Sequence, residues 1–342
     1  MTKLVTKRPL TLARVAIMVG ALHAAPSHAT FAKVWVAYNG TDSAGCGQPA
    51  TPCATFQQAQ ANLAAGGEIS VLTPGEYGGT GSPKLNIVKS LSITNDATGE
   101  AGILVGGGDG ISITAGPGDV IGLRGLVIDG QAGGNSGIGI INASAVHIQN
   151  CVIRNFQDAA PGGNHGNSAF GIALVPAGKT QLFVTDTLIY NNGQNSLTSG
   201  ILIEPQNANS SADVVLDRVH LENNVDGILI YGPVASGGSG SHVVVRDSVI
   251  AGNAGNGIRA FTQPGKSPAF AFVERSSFLK NGANGILADG PGATVLVRQS
   301  TITRNGAGVA TVNGGQLISF GDNANANNIG PEGVATGFRS AF

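Results

Sequence analysis

The sequence predicts an all-β chain wound as a single-stranded parallel β-helix, a solenoid with a short N-terminal capping helix. Three observations predict it. First, a Gly-led apolar run recurs every 23 to 30 residues: Gly171-Ile172-Ala173-Leu174, Gly200-Ile201-Leu202-Ile203, Gly227-Ile228-Leu229-Ile230, Gly257-Ile258-Arg259-Ala260, Gly285-Ile286-Leu287-Ala288 and Gly308-Val309-Ala310-Thr311. Second, Val184, Val215, Val245, Val273 and Val297 each stand eight residues before an asparagine, namely Asn192, Asn223, Asn253, Asn281 and Asn305. Third, the aliphatic residues of the Gly-led runs fall one and three places after Gly, which is the period of two of a strand with one face buried. Repeats of this length mean stacked supersecondary units, and the lack of any ten-residue helical pattern excludes leucine-rich, ankyrin and tetratricopeptide repeats.

Each unit holds about three short strands and three bends. Residues 242–245 read as a second strand, Arg246-Asp247-Ser248 as a break, and Val249-Ile250 as a third strand. Such a chain pairs each strand with its equivalent one turn later, about 4.8 Å along the axis. The asparagine column fits a corner of the coil. Asn tolerates left-handed backbone, and stacked amides bond one another as polar ladders do.

Along the chain, residues 1–29 read as an export signal. Lys3, Lys7, Arg8 and Arg14 form a basic head, residues 15–25 are an apolar run too short to span a bilayer, and Ser27-His28-Ala29 offers small residues for cleavage. Removing the four basic residues takes the formal charge from −1 to −5. A mildly acidic, secreted or periplasmic chain with 11% charged residues has no footprint for nucleic acid or anionic membranes. No later stretch is a membrane span, and a monomer is expected.

Residues 30–67 read as an N-terminal strand and helical cap. Val36-Ala37-Tyr38 leads into the turn Asn39-Gly40-Thr41-Asp42; Thr55 with Gln58 has capping-box spacing; Phe56, Ala59 and Leu63 share a helical face that Gly66-Gly67 ends. Cys46 and Cys53 lie in a Gly/Pro-rich segment suited to a small disulfide loop in an oxidising compartment, whereas Cys151 sits in an apolar run and reads as a core residue. Residues 68–320 carry the coils, beginning with Glu68-Ile69-Ser70-Val71-Leu72 and Pro74-Gly75-Glu76-Tyr77. Residues 321–342 lose the pattern and read as a terminal cover.

The order strand, Gly40-Thr41-Asp42, proline, Thr55-Phe56 with Ala59, Gly66-Gly67-Glu68-Ile69, Pro74-Gly75-Glu76-Tyr77 resembles the cap and first coil of the pectate-lyase-like superfamily of right-handed parallel β-helix proteins. The chain also resembles uncharacterised secreted bacterial β-helix repeat proteins. The resemblance implies a right-handed coil and a glycan groove along an outer strand face. It leaves activity open, because this fold hosts many chemistries.

A β-helix interior is packed, so function belongs outside. Positions two and four after each repeat glycine face out when their neighbours face in. They supply Glu204, Tyr231, Arg259, Phe261 and Asp289 on successive coils, beside loops 205–213, 232–241 and 262–269. A carboxylate, an arginine and two aromatic faces in a row suit a sugar chain; a solvated strand face is the alternative. Glu204, Arg259 and His165 are the catalytic candidates. His165 lies in the insertion 157–168, where Asn164-His165-Gly166 stands in for the Gly-His-Gly of polygalacturonases, without that family's paired aspartates and basic motif. Asp186, Asp217 and Asp247, each two residues after the valine column, form an acidic row that suits calcium or is neutralised by the adjacent Arg218 and Arg246. No other cofactor is implied. The expected function is interaction with a polysaccharide or surface glycan along the Glu204–Asp289 face. The alternatives are a non-catalytic surface or adhesive rod, or a polysaccharide lyase or glycoside hydrolase.

Overall fold

The structure, a computed structural model, describes residues 31–96, 98–157 and 169–340. The expected leader and most of the 157–168 insertion, including His165, lie outside the described residues. Three parallel sheets of 12, 9 and 10 strands run the length of the molecule. Successive strands of the chain visit the three sheets in rotation, so each coil contributes one strand to each. This is an all-β, right-handed parallel β-helix of about nine turns, with one short helix among the described residues.

Apolar columns form the core. Leu85, Ile111, Ile138, Ile172, Ile201, Ile228, Ile258, Ile286 and Val309 pair one to the next along the 9-stranded sheet. All are buried. Thus the Gly-led repeats fall one per coil, with Ile201, Ile228 and Ile286 in one stack.

The cap also follows its sequence signals. Thr55 caps the helix Phe56–Asn62, its hydroxyl accepting from the Gln58 amide at 3.2 Å. Asp42 holds the approach, accepting from the amides of Ala54 and Thr55 and from the Thr55 hydroxyl. The helix stops sooner than its apolar face suggests. Leu63 is already extended and opens the strand Leu63–Val71, because pairing with the neighbouring strands Phe31–Val36 and Leu91–Thr94 outweighs one more helical turn. Cys46 and Cys53 form the expected disulfide, and Cys151 is buried.

The asparagine ladder is present with one member changed. It runs Asn192, Asn224, Asn253, Asn281, Asn305, Asn328; each of the first five donates its backbone and side-chain N–H to the next Oδ1 at 2.9–3.2 Å. Asn224, not Asn223, occupies the second coil, and the apolar column reads Val184, Leu216, Val245, Val273, Val297. Val215 and Asn223 therefore both slip by one, which preserves the eight-residue offset. The left-handed backbone falls on the residue just before each ladder asparagine, including Asn191, Asn223, Lys280 and Arg304.

The glycine column is explained by this ladder. A Cβ on Gly257 would lie 2.6 Å from the Gly285 carbonyl oxygen and 2.9 Å from the Asn281 amide nitrogen. Gly171, Gly200, Gly227 and Gly285 meet the equivalent neighbours at similar distances. Repeat glycine and ladder asparagine are one device, since the side-chain amide occupies the space that a Cβ would need.

Candidate glycan-binding face

Strand alternation sends the second and fourth residues after each repeat glycine to the outer face of the 9-stranded sheet. Register then stacks them. Tyr231 pairs with Phe261, Phe261 with Asp289, Leu229 with Arg259, and Arg259 with Leu287. Glu204 directly follows Ile203, whose partner Ile230 precedes Tyr231, so it stands one coil before Tyr231. The five residues expected to share a face do share it.

Their environment differs from the solvated row that sequence alone allowed. Glu204 is 2% exposed and Asp289 5% exposed. Phe170, Ala173, Leu202 and Leu229 make a second apolar cluster outside the core, with Val175, Leu197 and Tyr231 packed on it. The first half of this face is therefore covered and apolar, and only its second half presents Tyr231, Arg259 and Phe261 half-exposed.

Within that half the side chains are held. Arg259 donates to Asp289 Oδ2 at 2.7 Å, and Asn313 donates to Asp289 Oδ1 at 2.8 Å. The Arg259 guanidinium lies 4.6 Å from the centre of the Phe261 ring, a cation–π contact. Tyr231 meets Phe261 edge-on at 5.4 Å between ring centres. Burial, with the Glu204 carboxylate next, pushes the Tyr231 phenol above its ordinary value. Gln206 donates to Glu204 Oε1 at 2.6 Å from the adjoining loop. The result is a fixed aromatic pair with an arginine clamped over it and carboxylates on either flank.

The acidic row does not form as expected. Asp217 pairs in register with Thr185 and Arg246, so it is out of line with Asp186 and Asp247. The corner instead alternates in charge. Arg218 makes a two-point contact with Asp186 at 2.7 and 3.0 Å and reaches Asp217 at 2.7 Å. Arg246 also reaches Asp217, and Arg275 holds Asp247 at 2.8 and 2.9 Å. These hydrogen bonds hold Asp186 and Asp247 below the ordinary carboxylate range. Asp42, Cys46 and Cys53 also lie close together, but the two sulfurs are joined in the disulfide.

Two features escaped the sequence reading. Asp226, one residue before Gly227, is buried at the start of its strand and accepts from the Asn256 backbone and side-chain N–H at 2.6 and 3.1 Å. An aspartate ahead of a repeat glycine looks like turn chemistry, so only the register reveals it. The second is an outward stripe on the 12-stranded sheet, His147, Phe183, Val215, Val244, Phe272, Leu296 and Ile318 in one column. His147 stacks on Phe183 at 4.7 Å.

No protein-family model matches the chain, and no curated protein sequence matches it. Among solved structures, a pectate lyase, Pel9A, superposes with a TM-score of 0.65 and 18% identity over 92% of this chain and 80% of its own. An alginate lyase from Paenibacillus sp. str. FPU-7 superposes with a TM-score of 0.56 and 16% identity over 84% of this chain and 96% of its own. The fold is thus a pectate-lyase-like parallel β-helix. Among the described residues no helix is long and apolar enough to cross a membrane.

Proposed function

We propose that this chain is an exported protein that binds a polysaccharide along the outer face running from Glu204 to Asp289, with Tyr231 and Phe261 as the stacking platform. One observation carries the reading. Two aromatic rings on successive coils are locked edge to face, with Arg259 pinned against one of them by Asp289. Sugar rings stack on such faces with little ordering cost, because the platform is already held. The likeness in fold to polysaccharide lyases fits this reading.

The role proposed is binding. Glu204 and Asp289 are three strand spacings apart, about 14 Å, beyond the roughly 5–9.5 Å that separates the carboxylates of glycosidases. Arg259, the other catalytic candidate among the described residues, already serves Asp289.

The test is binding of the protein to a panel of soluble plant and bacterial polysaccharides, among them polygalacturonate, alginate and xylan. Tyr231→Ala is expected to weaken binding about tenfold, the loss of one stacking aromatic. Absence of binding across the panel, or binding indifferent to that substitution, would remove the proposal.

A further inference from the structure

The sequence holds seven Asn-Gly steps, at Asn39, Asn192, Asn256, Asn281, Asn284, Asn305 and Asn313. Such a step can react with itself. The glycine nitrogen attacks the asparagine side-chain carbonyl carbon, and glycine, with no Cβ, leaves that approach open. The attack needs a glycine N–H that no hydrogen bond holds and a side chain that water reaches. Six of the seven steps fail this. Asn192, Asn281 and Asn305 are buried in the ladder, and the N–H groups of Gly193, Gly282 and Gly306 donate to the carbonyls of Phe156, Asn253 and Asn281 at 2.9, 2.8 and 2.8 Å. Asn256 is also buried, with Gly257 N–H on the Asn284 carbonyl at 2.9 Å. Asn284 is tied to Asn256 Oδ1, and Gly285 lies inside a strand paired on both sides. Asn39 is exposed, but Gly40 N–H donates to the Ala37 carbonyl at 2.8 Å.

Asn313-Gly314 stands apart. Both residues are exposed, in the turn between the strands Ala307–Val312 and Gln316–Ser319. Gly315 N–H closes that turn on the Val312 carbonyl at 2.9 Å, whereas Gly314 N–H has no hydrogen-bond partner among the described residues. We propose that Asn313 is a self-modifying site. Gly314 N bonds to Asn313 Cγ, the Cγ–Nδ2 bond breaks, and ammonia leaves with the proton that Gly314 N gave up. Water, the one co-reactant, then opens the cyclic imide at either carbonyl to give aspartate or isoaspartate. The change reaches the outer face directly. Asn313 Nδ2 donates to Asp289 Oδ1 at 2.8 Å, and Asp289 Oδ2 is what holds Arg259 against Phe261. After the reaction the buried Asp289 loses that donor and meets a second carboxylate, which only accepts and repels it. The site stands whether or not the face binds a polysaccharide.

Peptide mass mapping of the intact protein, aged in warm, mildly alkaline buffer and then digested, tests this. The peptide carrying Asn313 is expected to show the amide-to-acid mass gain, split between aspartate and isoaspartate forms, about tenfold faster than any other Asn-Gly step, the factor set by freeing one hydrogen bond. A free peptide of residues 310–317 serves as the reactive control. An unchanged Asn313 in protein aged until that peptide has reacted, or faster reaction at any of the other six steps, overturns the proposal. Asn313→Gln is expected to abolish the signal at this position. Asn313→Asp, made directly, is expected to lower the melting temperature by about 2 °C or more through the lost contact with Asp289. Mass gain at Asn313 together with an unchanged melting temperature in Asn313→Asp would overturn the link to Asp289.

Discussion

Asn223 and Asn224 show how one position decides a coil. Both follow an aliphatic residue by eight places, Val215 or Leu216, so spacing does not separate them. Alternation fails here for a physical reason. The outer face of the 12-stranded sheet is itself apolar at this level, with Val215 between Phe183 and Val244, so inward and outward residues look alike. The ladder makes the distinction testable. Asn224→Ala removes the buried bonds with Asn192, Asn253 and Ile189, and urea unfolding is expected to show a loss of about 3 kcal/mol. Asn223→Ala only places alanine at a left-handed position and is expected to cost about 1 kcal/mol. Equal losses would return Asn223 to the ladder. Asp226 carries a second residue-level prediction. Burial holds its carboxyl above the ordinary 3.8. Between that value and the raised one the folded chain binds the proton more tightly than the unfolded chain, so this group's contribution to stability falls as pH rises. Asp226→Asn is expected to raise the melting temperature at pH 7, with the gain shrinking on acidification towards pH 4. A gain independent of pH would contradict a buried charge as its cause.

At the scale of single elements, strands were more legible than corners. Repeat glycines and alternating aliphatics mark the strands because each follows from packing on the coil below. At the corner the sequence places Asp186, Asp217 and Asp247 in one row and leaves either calcium or the adjacent Arg218 and Arg246 to balance them, because it shows the aspartates but not which residue of the next coil faces them. Register supplies alternating Asp and Arg, each aspartate held by a guanidinium. The expected consequence is that millimolar calcium leaves the melting temperature unchanged, since a guanidinium already holds each of these aspartates. A rise of several degrees on adding calcium, reversed by a chelator, would show that the ion displaces the arginines. The helix Phe56–Asn62 teaches the same lesson from the other side. Its start was marked by a local cap, whereas its end was set by a strand pairing invisible in the local sequence.

Over the whole molecule, stacking turns distant residues into neighbours. Each coil depends on the two beside it, so the architecture follows from one repeat copied with small changes. This is why the fold was readable from the sequence and the face only in part. Columns fixed that Tyr231, Arg259, Phe261 and Asp289 lie together, but not that Glu204 and Asp289 are buried or that a second apolar cluster covers the preceding coils. Outer surfaces that present aromatic rings include the Tyr231–Phe261 pair on the 9-stranded sheet, and Phe183, Phe270 and Phe272 on the 12-stranded sheet. Oxidative footprinting of these side chains, with and without a bound polysaccharide, separates them most directly. The account predicts that the polymer shields Tyr231 and Phe261 and leaves Phe183, Phe270 and Phe272 as reactive as before. Shielding of those three phenylalanines, with Tyr231 and Phe261 unchanged, would contradict it.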